Sequence, residues 1–229
     1  MNERLIPVRQ TWAAILALVL ASILSCALVV VRAYYSGTTA YVFFFWNLFL
    51  AWVPVGAALL FYGLAALPSR NWALLLVAAV IWFLFFPNAP YIVTDLVHLR
   101  EAPPVPYWYD IICVMAFAQT GLFLGYLSLY LMQEVIRAWM GRWVGWLFAL
   151  AMLGASAFGV YLGRFLRWNS WDLLRNPAGI ALFTFEGVQN PSLQSIGFTG
   201  LFAVFFLFLY ITLYTFGHLL LERQGNNNA

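Results

Sequence analysis

Six stretches of this chain are apolar for close to twenty residues at a time, and nearly all of its charged residues lie at their ends or between them. A bilayer's hydrocarbon core of roughly 30 Å takes about 20 helical residues to cross. Backbone polar groups in that core must bond internally, which leaves helices or a closed barrel, and continuous apolar runs without strict alternation favour helices. The spans fall at about 12–31, 41–67, 71–86, 111–132, 143–165 and 201–221. The chain is therefore read as all-α: a polytopic membrane helix bundle in one integral membrane domain, 1–229, with polar-aromatic interfacial segments. A content of 65% apolar and 8% charged residues excludes a water-soluble globule, which carries roughly 25% charged residues. The formal charge of +3 is scattered, so no clustered basic face exists for a nucleic acid.

Within the spans, small residues mark expected packing edges. Ala13, Ala17, Ala21 and Ser25 recur at strict four-residue spacing, as do Ala151, Ala155, Gly159 and Gly163, and Gly121 with Gly125 forms a GxxxG edge. Gln119 reads as glue between helices, and His218, beside Tyr214, as a structural hydrogen-bonding residue. Asn47 reads as a cap for the carbonyl that Pro54 leaves without a donor. The third span covers only about 24 Å, so the segment after Phe86 is expected to complete the crossing. Cys26 and Cys113 sit in apolar runs and read as packing residues rather than a disulfide framework.

Two polar constellations interrupt the apolar pattern. The first runs from Phe85 through Pro87-Asn88-Ala89-Pro90-Tyr91 to Asp95 and His98, with Asp110 after it. Two prolines three apart predict a break in the chain, with the residue before each in extended geometry. If helix re-forms after them, Tyr91, Asp95 and His98 share a face at offsets of four and three. The second comes after the fifth span, Arg164-Phe165-Leu166-Arg167-Trp168-Asn169-Ser170-Trp171-Asp172-Leu173-Leu174-Arg175. Continuing the helix through it would place Arg164, Trp168, Asp172 and Arg175 on one side. Guanidinium groups among indoles at headgroup level suit bidentate recognition of phosphate or carboxylate.

These two segments, with Asn47-Leu48-Phe49-Leu50-Ala51-Trp52-Val53-Pro54, Trp108-Tyr109-Asp110 and Gly159-Val160-Tyr161-Leu162-Gly163, resemble the family called domain of unknown function 1361. The similarity runs in order from about Asn47 to the sixth span. It implies a bacterial cytoplasmic-membrane protein of this size and carries no activity and no catalytic residues.

The residues therefore supply the functional expectation. The two constellations are expected to converge on one membrane face as a pocket for a phosphorylated lipid or small anion. Asn88, Asp95, His98 and Asp110 would come from the first. Arg164, Arg167, Asn169 and Asp172 would come from the second, with Asp95 or Asp110 paired to an arginine. Asp95, His98 and Asp110 are also candidate metal ligands, and with them a metal-assisted enzyme acting on a lipid-linked substrate stays open, although no HExxH-like spacing accompanies them. A non-catalytic subunit, in which the small-residue stripes meet a membrane-protein partner or a second copy, is a third reading. No cofactor motif is present: there is no glycine-rich phosphate loop, Ser-His-Asp order or paired-cysteine site. Six spans put both termini on one side. Arg4, Arg9, Arg70, Arg137, Arg142 and Arg223 lie there against five arginines opposite, a bias that points to cytoplasmic termini and an outer-leaflet pocket in a bacterial inner membrane.

Overall fold

The computed structural model describes residues 8–99, 104–168, 172–175, 179 and 192–226. Its elements are α1 (Val8–Ser36), α2 (Phe43–Ala66), α3 (Trp72–Phe85), α4 (Asn88–Tyr91), a 3-10 helix (Ile92–His98), α5 (Tyr107–Met140), α6 (Arg142–Leu166), α7 (Asp172–Arg175) and α8 (Leu193–Asn226). Among the described residues six helical segments are long and apolar enough to cross a membrane, the third being Trp72–His98 as a unit. The short third span is thus completed by α4 and the 3-10 helix, as its length required.

α5 is the centre of the bundle and touches α1, α2, α4 and α6, while α8 packs on the outside of α6. One core joins α2, α3, α5, α6 and α8 through Phe61, Trp82, Leu129, Ala149 and Phe206. A second joins α1, α2, α5 and the segment after α3 through Val29, Phe44, Ala51, Ile92 and Phe117. Leu16, Leu20, Leu76 and Phe208 face outward. That is the expected inversion for a bundle whose solvent is hydrocarbon, where helix contacts rest on close packing and hydrogen bonds instead of apolar burial.

The packing edges differ in part from those read in the sequence. On α1 the buried face is Leu18, Ser22, Ser25, Val29 and Arg32, whereas Ala13 and Ala17 are exposed. A strict step of four residues overshoots a full turn by about 40°, so such a stripe spirals off the face, while alternating steps of four and three stay on it. Ser22 accepts from Trp52 Nε1 at 3.0 Å, and Ser25 Oγ lies 3.3 Å from Thr120 Oγ1. Gln119 is exposed and its neighbour Thr120 faces inward, so Gln119 is not interhelical glue. The buried carboxamide of α5 is Gln133, which accepts from the Tyr210 hydroxyl of α8.

The glycines perform a specific task. A Cβ on Gly121 would sit 2.6 Å from the Ala89 carbonyl oxygen, and one on Gly159 2.8 Å from Pro87 Cγ. Cβ atoms on Gly125 and Gly163 would press on Ala89 and Tyr91. The Pro87–Tyr91 turn is therefore clamped between a glycine pair of α5 and one of α6, while Ala151, in the same stripe as the latter, is exposed.

The proline break is gentler than two prolines predict. Phe86, before Pro87, is helical at φ −54°, ψ −41°, and Ala89, before Pro90, lies inside α4. Asn88 Nδ2 donates to the Phe85 carbonyl at 3.1 Å and the Tyr91 N–H to that of Pro87 at 3.0 Å. These bonds, with the glycine clamp, stabilise a helical path that an isolated X-Pro pair disfavours. The chain then tightens to 3-10 geometry, in which residues three apart eclipse.

Candidate functional site

That tightening places Asp95 directly below His98. Asp95 is 1% exposed, and a carboxylate so buried requires partners. Asn47 Nδ2 of α2 donates to its Oδ2 at 2.8 Å, Arg164 Nη1 of α6 to its Oδ1 at 3.3 Å, and His98 Nε2 stands 3.7 Å from the same oxygen. Arg164 is held further by the Thr94 carbonyl at 2.8 Å and the Tyr91 hydroxyl at 3.3 Å. Asn47 thus serves Asp95, not the carbonyl freed by Pro54. Its sequence signal was an amide near the same end of the bundle as an unpaired carboxylate.

Around this ion pair lies a cavity of about 930 Å³ between α2, the end of α3 with its continuation, and α6. Asn88, Asp95, His98, Arg164 and Arg167 all line it, so the two constellations do meet. Of its charged lining residues, Asp95 and Arg164 neutralise each other and Arg167 remains. Arg167 is exposed, and no protein partner engages it among the described residues. With His98 neutral, the lining therefore carries one uncompensated positive charge.

Arg167 ends α6 in the left-handed region, at φ 57°, ψ 31°, the only non-glycine residue with positive φ among those described. Glycine usually holds this position, and an L side chain there is disfavoured by about 1–2 kcal/mol. The turn halts the helix and folds the chain back, with the Trp168 N–H 3.4 Å from the Leu162 carbonyl. The continuous helix predicted through Asp172 is accordingly overturned: Arg167 and Trp168 sit at the cavity, while Asp172, half-buried in α7, does not line it. Asn169 lies outside the described residues, as does the side chain of His218.

Asp110 is likewise not part of this site. It is fully buried at the start of α5 and takes a bidentate pair from Arg32 of α1, Nε to Oδ1 at 2.6 Å and Nη2 to Oδ2 at 3.0 Å. The Arg32 guanidinium lies 4.2 Å from the Tyr41 ring centroid, and the Tyr41 hydroxyl is 3.5 Å from Asp110 Oδ2. Burial, then the adjacent carboxylate, pushes the Tyr41 phenol up, so it remains a neutral donor. Both Asp110 oxygens are committed to Arg32, and Asp95, His98 and Asp110 do not gather as a ligand set; no group of three metal-ligating side chains occurs among the described residues. The metal reading fails on this geometry.

Sequence comparison adds one finding. The pattern of a family described as Protein of unknown function (DUF1361) matches residues 46–213, which includes every residue of the cavity except Phe43. No curated protein and no solved structure matches the chain.

Proposed function

Because the chain belongs to the DUF1361 family, whose description assigns no activity, we propose a function from the cavity itself: it binds the anionic group of a phosphorylated lipid or of a small anion. The observation that carries this reading is Arg167, a guanidinium without a protein partner among the described residues, on a cavity wall where the other charges cancel. Asp95, Asn47 and Arg164 form the fixed frame. Arg167 and His98, whose side chain is 44% exposed, are the groups that reach a ligand. The negative end of the α6 dipole favours cations at this terminus, so the arginines are held where an anion can use them. Strain kept at a residue facing a cavity is a further support, since such conformations concentrate at ligand sites. The arginine bias of the loops supports a site in the outer leaflet of a bacterial inner membrane, with cytoplasmic termini.

The test is titration of the full chain in uncharged detergent with methyl phosphate and with hexadecyl phosphate. A charge-assisted hydrogen bond contributes about 1.5–3 kcal/mol, so Arg167→Gly is expected to weaken saturable binding of a phosphate probe at least tenfold. Glycine suits the left-handed position, so the fold should survive the change. Equal binding by the wild type and the variant, or no saturable binding of either probe, overturns the proposal.

A further inference from the structure

The cavity is far longer than an anion needs. Its lining on α6 runs from Met152 to Trp168, a rise of about 24 Å. Its charged and amide groups all belong to the end where α6 terminates. From Arg164 inward to Met152, a rise of about 18 Å, the walls are Phe83 and Leu84 of α3 against Ala155, Phe158 and Leu162 of α6. The one hydroxyl on that stretch, Ser156, is 1% exposed and shut into the wall.

The fold explains the opening. α3 and α6 meet where the Trp82 and Phe148 rings stack at 5.7 Å. Beyond that contact Pro87 and α4 wedge against Gly159 and keep the two helices apart. Phe83 and Trp46, both on the cavity wall, are 50% and 54% exposed, so the gap faces the bilayer, not a neighbouring helix.

Resting on the reading of Arg167 as an anion-binding group, we infer that the occupant is an amphiphile: a phosphate-type head at Arg167 and His98, and an apolar chain laid between α3 and α6. A free anion would leave the long apolar wall without a role. A lipid enters sideways, already oriented by the bilayer, and its chain exchanges lipid neighbours for the groove. Because hydrocarbon is as apolar as the groove, recognition of the chain rests on shape and dispersion. Filling the groove should therefore abolish recognition of the tail and spare recognition of the head.

The experiment compares methyl, octyl and hexadecyl phosphate on the full chain in uncharged detergent, using wild type, Ala155→Trp, Met152→Trp and Arg167→Gly. The Arg167-dependent affinity of the wild type should rise at least tenfold from methyl to hexadecyl phosphate. Ala155→Trp should weaken hexadecyl phosphate at least tenfold and leave methyl phosphate within twofold. Met152→Trp repeats the test deeper in the groove, and the wild-type chain-length series decides the matter if both variants misfold. Equal affinity for all three phosphates, or groove variants that leave hexadecyl phosphate within twofold, overturns the lipid inference and leaves an anion site. Indifference of every probe to Arg167→Gly removes the anion site itself.

Discussion

Two arginines, Arg32 and Arg167, divide the charge chemistry of this molecule between a buried ion pair and a cavity wall. Arg32 is 3% exposed and fully engaged by Asp110, and removing one member of such a pair strands the other charge. Asp110→Ala or Arg32→Ala should therefore lower stability by about 3–5 kcal/mol in denaturant unfolding of the solubilised chain, whereas the double change Arg32→Met, Asp110→Leu should recover most of that loss. A double variant as unstable as the single ones would show that the pair contributes more than the desolvation it offsets. Arg167→Gly should behave oppositely, leaving stability unchanged or raising it by up to about 1 kcal/mol, because glycine relieves the left-handed turn. Sequence reasoning found Asp95, His98, Arg164 and Arg167, since each is an ionisable group beside a helix end in an apolar chain. It could not assign Asp110, because the choice between Arg32 and the α6 arginines depends on which helix packs beside α5. Local pattern does not encode that neighbour.

The glycine clamp belongs to the helices. Gly121→Ala places a methyl group 2.6 Å from a backbone oxygen that cannot swing away, and overpacking of this kind is worth about 1–3 kcal/mol of destabilisation. Gly154→Ala, on α6 with open space around its Cβ, should instead be neutral or stabilising by up to about 1 kcal/mol through helix propensity. Thermal unfolding of both variants checks the contrast, and equal effects would mean that α4 does not depend on the close approach. The number and order of spanning helices were legible, because apolar runs of bilayer length leave the backbone few alternatives. Their ends were not. α5 extends past its apolar run to include Glu134 and Arg137, whose ion pair at 3.1 Å joins residues three apart on one helix face. The helical path through Pro87 and Pro90 was illegible for a related reason, since it is stabilised by glycines from two distant helices.

For the whole molecule, six spans place the α1–α2 connection and the cavity mouth on one membrane face and the α2–α3 connection on the other. In a background lacking Cys26 and Cys113, an impermeant maleimide applied to intact cells should label Tyr35→Cys and spare Ser69→Cys. The reverse pattern would move the cavity mouth to the cytoplasm. The convergence of the two polar constellations was readable from their positions at the same bundle end; the apolar groove was not, because it arises from the wedge between α3 and α6 and from no motif. The most direct measurement is native mass spectrometry of the full chain released from its own membrane. The wild type should retain a bound phosphorus-containing lipid that Arg167→Gly, folded to the same degree, releases. A wild type that carries no such adduct, or a variant that carries it equally, would contradict the assignment of this cavity as an anionic lipid site.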